Sequence, residues 1–352
     1  MKFLKFLVIT ALFGCLAIGG IAYWMDSSLK AENVHSKAGE FITIEKGTSP
    51  NQIIAKLTSE GVLKNPVFAQ VYLRLFGDAS KLKAGDYQFK SPISALEVLK
   101  ELESGKERTR KITIPEGWTR FEISKRIAET FPTEPAMDDK AVLELMNDTS
   151  LIRDFDPDAK NLEGYLFPTT YEFPLDATPK DVIKRMVEQF RKTWKPEWTL
   201  DASKVGKTPR QIVTIASLIE NESKFDAERR IVSSVIYNRL DRGMALGIDA
   251  TNVYIAKLLG KWDGIIHKSD IDVVHPYNTR KISGLPPGPI SSASESALEA
   301  ALSPDKTDYL YYVLNVEKND GSHHFYASAA EFERGKAAYQ KWLAEQRQKK
   351  SE

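Results

Sequence analysis

The chain has 352 residues, with 49 Lys and Arg against 48 Asp and Glu and a formal net charge of +1. A composition 42% hydrophobic and 28% charged is globular, and it excludes a disordered, collagen-like or wholly membrane-embedded chain. The near-neutral balance argues against a nucleic-acid partner, and one cysteine allows neither an internal disulfide nor a Cys-based zinc framework.

In chain order, the first feature is an uncharged run from Phe6 to Met25, bounded by Lys5 and Asp26. At 1.5 Å per residue it matches a hydrocarbon core of about 30 Å. Lys2 and Lys5 put the N-terminus in the cytoplasm, and Tyr23 and Trp24 stand where interfacial aromatics belong. A cleaved signal peptide wants a shorter run and a small-x-small site, which residues 19–26 lack. A lipoprotein signal at Gly14-Cys15 conflicts with the bulk of Phe13 and the apolar residues beyond. Residues 1–25 are therefore expected to be a cytoplasmic N-terminus and uncleaved transmembrane anchor, with the rest of the chain outside the cytoplasm. Residues 26–40 are polar and read as a linker.

An internal repeat follows at an offset of 70 residues. Ile42-Thr43-Ile44-Glu45-Lys46-Gly47-Thr48-Ser49 is echoed by Ile112-Thr113-Ile114-Pro115-Glu116-Gly117-Trp118-Thr119. Alternating isoleucines predict a strand, the glycine a turn, and the Ser or Thr an N-cap for the helix that follows. A further helix is predicted from Pro66, after Asn65, and a strand over 85–89. The span 41–130 reads as a small α+β domain, and the acidic, proline-punctuated 131–160 as a boundary region. Residues 161–345 are mainly helical. Thr178-Pro179 and Thr208-Pro209 each place a cap before a proline at the first helical position. Two more helices are predicted over 227–241 and 330–347.

The helix from Pro209 carries the most chemistry. Its apolar run (Ile212, Val213, Ile215, Ala216, Leu218, Ile219) ends abruptly in Glu220-Asn221-Glu222-Ser223. Glu222 lies on the stripe of Leu218 and Ile215, near the helix C-terminus. Desolvation and the helix dipole both disfavour its anion, as a general acid working near neutral pH requires. The plain alternative is a helix end facing water. Glu220 is no natural catalytic partner, because residues i and i+2 lie about 200° apart around a helix. Asp226 lies beyond the helix, and Asp249 in a glycine-flanked loop; neither is fixed as a partner by the sequence. His323 and His324, neighbours in an extended segment, point to opposite faces, and no metal site is expected. Tyr277-Asn278-Thr279-Arg280 and Gly284-Leu285-Pro286-Pro287-Gly288-Pro289 form a stiff loop of the kind that lines sites or merely connects elements.

Ile219-Glu220-Asn221-Glu222-Ser223, Tyr277-Asn278-Thr279 and Gly284-Leu285-Pro286-Pro287-Gly288-Pro289-Ile290 together resemble the YceG-like family of endolytic murein transglycosylases. Residues 162–171 (LEGYLFPTTY) resemble another family motif, with Thr169 in place of its usual Asp. Residues 235–240 and 321–325 also fit, and Ala250 replaces a usual Pro. The resemblance implies an α+β fold made of the anchor, a LysM-like domain and a lysozyme-like catalytic domain. It implies a bacterial inner-membrane protein whose bulk is periplasmic or otherwise extracytoplasmic. Glu222 would be the catalytic acid and then base, with Glu220, Ser223, Asp249, Tyr277 and Asn278 as substrate-binding candidates and no cofactor. The expected substrate is the peptidoglycan glycan strand, the expected partners peptidoglycan synthases, and the product a 1,6-anhydromuramyl end. Two other readings stay open: a muramidase with Asp249 or Asp226 as second carboxylate, and a non-catalytic glycan-binding scaffold.

Overall fold

Side-chain caps and prolines mark the start of most helices, among them those at Pro50, Pro66, Pro179 and Pro209. The computed structural model describes residues 19–21, 23–105 and 109–351. Most of the 6–25 run falls outside them, and no helix among the described residues is long and apolar enough to cross a membrane. The fold is α+β and divides into two compact units, Met1–Arg110 and Lys111–Glu352. All strands among the described residues form two-stranded sheets.

In the first unit β1 (Glu32–Asn33) pairs antiparallel with β4 (Ile93–Ser94), and β2 (Ile42–Ile44) pairs antiparallel with β3 (Gly85–Tyr87). Between β2 and β3 run α1 (Pro50–Ser59) and α2 (Pro66–Leu75); α3 (Ala95–Ser104) follows β4. Ser49 and Gln52 form a capping box on α1, and Ser94 and Glu97 form one on α3. The apolar faces of these elements share one core, with Ile44, Ile54, Leu57, Tyr87, Ile93 and Leu99 buried. Part of the stretch read as a linker belongs here, because Leu29 is buried and β1 is paired.

The second copy of the repeat lies in the second unit, so the division comes at 110/111 rather than at 130. The reason is packing: Ile112, Ile114, Ile123 and Ile127 are buried in the larger core. In both copies the turn glycine has positive φ, +84° at Gly47 and +73° at Gly117, where a β-carbon would be strained. Strand β5 (Thr109–Thr113) pairs with β6 (Thr170–Pro174), and α4 (Arg120–Thr130) follows the Gly117 turn. That turn is tied to a distant loop by reciprocal backbone bonds, Gly117 N–H to Ser292 O and Ser292 N–H to Trp118 O, each 2.8 Å. The acidic 131–160 stretch also joins this core: α5 (Asp139–Leu145) packs on α4, and Val142, Met146 and Ile152 are buried.

The remaining helices are α6 (Pro179–Thr193), α7 (Pro196–Lys204), α8 (Pro209–Glu222), α9 (Asp226–Asp241), α10 (Asp249–Leu258), α11 (Lys268–Asp272) and α12 (Glu295–Leu302). A hairpin of β7 (Tyr311–Leu314) and β8 (His323–Tyr326) and the terminal α13 (Ala329–Ser351) complete the unit. Helix α8 is central. Thr208 and Gln211 box its start, and every residue from Ile212 to Ile219 is buried. It packs against α7, α9, α10 and α12. Chain reversal follows Glu222, where Ser223 adopts extended angles and its N–H still reaches the Ile219 carbonyl at 3.0 Å.

Candidate active site

The last turn of α8 presents its two carboxylates to different surroundings. The Glu220 side chain is almost wholly shielded and pairs with Arg229 of α9, whose two Nη atoms lie 2.9 and 3.0 Å from its oxygens. It also accepts from Ser294 N–H at 2.8 Å and Ser294 Oγ at 2.5 Å, at the N-cap of α12. Both oxygens are engaged, and they hold α8, α9 and α12 together.

Glu222 is only partly exposed, and its carboxyl faces β7, β8, α9 and α10. Tyr312 Oη of β7 donates to Oε2 at 2.5 Å. Burial pushes the Glu222 carboxyl above the ordinary carboxylate range, and the phenol pulls it part of the way back. The charge of Asp249 adds to the rise, while His323 and Arg239 oppose it. Tyr312 is itself pushed well above the ordinary phenol range, by burial first and then by Glu222, and so stays a donor.

The surroundings of this pair are braced from several sides. Glu228 of α9 accepts from His323 N–H at 2.9 Å, and its other oxygen lies 2.8 Å from His323 Nδ1. The His323 ring meets Tyr312 edge-on at 5.4 Å. Arg239 donates from Nε to Leu310 O at 2.6 Å and from Nη1 to Leu246 O at 2.5 Å, tying the start of β7 to the loop that carries Asp249.

The other residues named from sequence take varied places. Asp249 opens α10, is exposed, and is held by Arg280, whose Nε lies 2.7 Å from Oδ1. Its charge contributes to the rise at Glu222, while its own hydrogen-bond partner is Arg280. Ser223 is buried and donates to Phe225 O at 3.0 Å, shaping the α8–α9 turn. Asn278 is fully buried: Nδ2 donates to Ile271 O and Val273 O at 3.0 and 2.7 Å, and Oδ1 accepts from Arg280 N–H at 3.1 Å. It thus supports the segment that delivers Arg280 to Asp249. Tyr277 packs its ring 5.0 Å from that of Tyr254, and burial raises its phenol.

A third buried carboxyl, Glu163, sits in the 162–171 motif. It accepts from Arg120 N–H at 3.1 and 3.2 Å and hydrogen bonds Tyr254. Burial dominates over the Arg120 charge and pushes Glu163 up to about 8. The adjacent Gly164 has φ +83°, and a β-carbon there would lie 2.4 Å from the Pro289 side chain. This close approach joins two motifs far apart in sequence. The 284–290 loop is fixed to α8 by Arg210 Nη2 to Pro287 O at 2.7 Å and Ile290 N–H to Ser217 Oγ at 3.1 Å.

Tyr312, Arg239 and Glu228 were not singled out from sequence. For Tyr312 the local signal is strand alternation: in the β7–β8 register Tyr312, His323 and Phe325 share one face while His324 takes the other. Among the described residues, no group of three or more His, Cys, Asp or Glu side chains is placed to hold a metal ion. A large open cleft of about 1060 Å³, lined by Trp198, Tyr237, Asn238 and Asp305, does not include Glu222. Its polar groups are largely spent: Asn238 bonds the Thr307 and Tyr309 carbonyls, and Asp305 pairs with Arg230.

Residues 42–338 match the sequence model of the YceG-like family. The chain is similar to the endolytic murein transglycosylase of Bacillus subtilis strain 168, at 34% identity over 92% of this chain and 91% of the relative. It is 30% identical to the endolytic murein transglycosylase of Streptococcus pneumoniae strain D39, over 89% of this chain and 61% of that longer relative. The crystal structure of a yceG-like protein of Listeria monocytogenes aligns with a TM-score of 0.57 at 31% identity, over 84% of this chain and 97% of that one. Family model, relatives and solved structure agree over most of the length, and the chain belongs to the YceG-like family.

Proposed function

We propose that this chain is an endolytic lytic transglycosylase of peptidoglycan, with Glu222 as acid and then base. The observation that carries the chemistry is a desolvated carboxyl at a helix end, hydrogen bonded by a phenol that stays protonated. Its neighbour Glu220 is spent on Arg229 and Ser294. Protonated Glu222 gives its proton to the oxygen between N-acetylmuramic acid and N-acetylglucosamine as the C1–O bond breaks. The 6-hydroxyl of the same muramyl residue then attacks C1, and its proton returns to Glu222. A 1,6-anhydro ring closes, no water is consumed, and the carboxyl ends the cycle protonated as it began. One carboxyl suffices for this sequence, whereas a hydrolase normally employs two.

Location and targeting belong to the same reading. The 6–25 run, with Lys2 and Lys5 before it, supports a single-pass anchor in the inner membrane and an extracytoplasmic body. The strand–helix–helix–strand order of β2, α1, α2 and β3, with its outer strands paired antiparallel, supports a LysM-like glycan-binding role for the first unit. A body held near the membrane would meet newly made strands, with peptidoglycan synthases as neighbours.

The test is digestion of purified peptidoglycan by the full chain in detergent, followed by mass spectrometry of the fragments. Anhydro ends, lighter by one water than reducing ends, are expected, and Glu222→Gln is expected to release none. Hydrated ends would make the protein a muramidase, with Asp249, whose charge reaches Glu222, as the second carboxylate. Equal release by Glu222→Gln would remove Glu222 from the chemistry. If the parent chain released nothing, a scaffold role would stand instead.

A further inference from the structure

We propose that Tyr312 is a positioning residue for the catalytic carboxyl: by donating to Oε2 it reserves Oε1 as the oxygen that gives up the proton and takes it back. The proposal rests on the transglycosylase reading of Glu222 and adds a second residue to it, from a strand 90 positions further along the chain.

The argument is geometric. A carboxyl that must act first as acid and then as base has two oxygens of nearly equal basicity, and only the one aimed at the glycosidic bond is useful. A phenol O–H 2.5 Å from Oε2 breaks that equivalence. While Glu222 is protonated on Oε1 the phenol donates to Oε2, and when the proton leaves the same bond becomes charge-assisted and stronger. The donor is therefore matched to the ionised state that forms as the glycosidic bond breaks.

The phenol is held where it is. On its own face of the hairpin its ring contacts Phe325 at 5.9 Å and His323 at 5.4 Å. His323 is fixed by Glu228 through both its backbone and its ring, and the strand start is fixed by Arg239 at Leu310. On the opposite face Tyr311 stacks on Phe332 of α13 at 5.0 Å. The groups that bear on the Glu222 charge come from several elements: Tyr312 from β7, His323 from β8, Arg239 from α9 and Asp249 from α10. Tyr312 is the one that hydrogen bonds the carboxyl, and the bond favours the anion against the burial that opposes it.

The test compares the full chain with Tyr312→Phe on purified peptidoglycan, recording anhydro-end release against pH. We expect kcat to fall about tenfold or more, KM to stay within about twofold, and the basic limb of the profile to move to higher pH. A 3-fluorotyrosine at position 312, a stronger donor, is expected to move that limb to lower pH. Carbon-13 NMR of labelled glutamate, with Glu222 assigned by its Gln variant, should show the carboxyl titration moving in the same two directions. A Tyr312→Phe protein with an unmoved limb and an unmoved titration overturns the proposal, whether or not its rate falls, because a merely structural loss moves neither. Should Tyr312→Phe fail to fold, the fluorotyrosine protein decides by the same titration. If the parent releases no anhydro ends, the transglycosylase reading fails and the proposal with it. If the parent releases them and the titration does not respond, Tyr312 alone is excluded.

Discussion

At the end of α8, Glu220 meets a guanidinium, a hydroxyl and a backbone N–H, whereas Glu222, about 200° round the same helix, meets a phenol and the charge of Asp249. Residue type and backbone position are nearly the same. What differs is how much of the desolvation cost each neighbourhood offsets. Glu220 receives full compensation and holds three helices together. Glu222 receives partial compensation, and a carboxyl in that condition holds a proton that it can give away. Environment assigns the roles.

The comparison breaks most visibly at Glu222. Glu222→Gln is expected to lower release of anhydro ends by about 10³-fold while leaving the fold intact, checked by product mass spectrometry beside circular dichroism. Removing a carboxyl that the folded state holds protonated longer than the unfolded chain should not destabilise. The native site keeps its proton at pH values where the unfolded chain has lost it, so stability falls as pH rises through that window. The variant, free of that loss, should melt at or above the parent temperature above it.

Glu220→Ala should do the reverse. It strands Arg229 in a buried site and costs about 3 kcal/mol, seen as a lower denaturation midpoint, while protein that remains folded cleaves at close to the parental rate. A rate loss as deep as that of Glu222→Gln, with unchanged stability, would end the division of roles.

Glu163 sharpens the same principle. Burial outweighs Arg120 and holds its proton up to about 8, whereas an unfolded glutamate releases it near 4.5. Between these values the folded state binds more protons, so this group's contribution to stability declines as pH rises. Thermal melts at pH 5 and pH 8 should show the parent losing ground to Glu163→Gln over that interval.

The smallest effect is expected at Asp249. Asp249→Asn removes a charge that raises Glu222, so the basic limb of activity should move to lower pH, with a change in rate below about tenfold. A collapse to the level of Glu222→Gln, with hydrated products, would mark Asp249 as a second carboxylate.

Much of this comparison was legible in the sequence because it is local. Thr208-Pro209 marks the start of α8, the apolar run buries it, and helical spacing separates Glu220 from Glu222 without tertiary information. The helices predicted over 227–241 and 330–347 lie within a few residues of α9 and α13. Asn319-Asp320-Gly321 marks a turn between β7 and β8, with positive φ at Asn319 and Gly321, but that local signal does not place Tyr312 beside Glu222, a tertiary contact across ninety residues of chain. The fold of 131–160 was hidden for a different reason. Its acids and prolines dominate the composition, yet Val142, Met146 and Ile152 bury its inner side. His323 shows a half success: the opposed faces of the His pair follow from strand alternation, but the Glu228 that engages one of them does not.

The paired backbone bonds between the Gly117 turn and Ser292 bear on how this gene can be cut and recombined. Ser292 lies just beyond Ser291, which accepts from Asn221 in the last turn of α8 at 2.7 Å, so the second repeat copy is a strut of that helix end. A fragment beginning at residue 131 would lose that strut and uncover the core filled by Ile112, Ile114, Ile123 and Ile127. One beginning at Lys111 keeps both. A domain swap among relatives should therefore place its junction ahead of the second copy, so that one half of an apparent duplication travels with each partner.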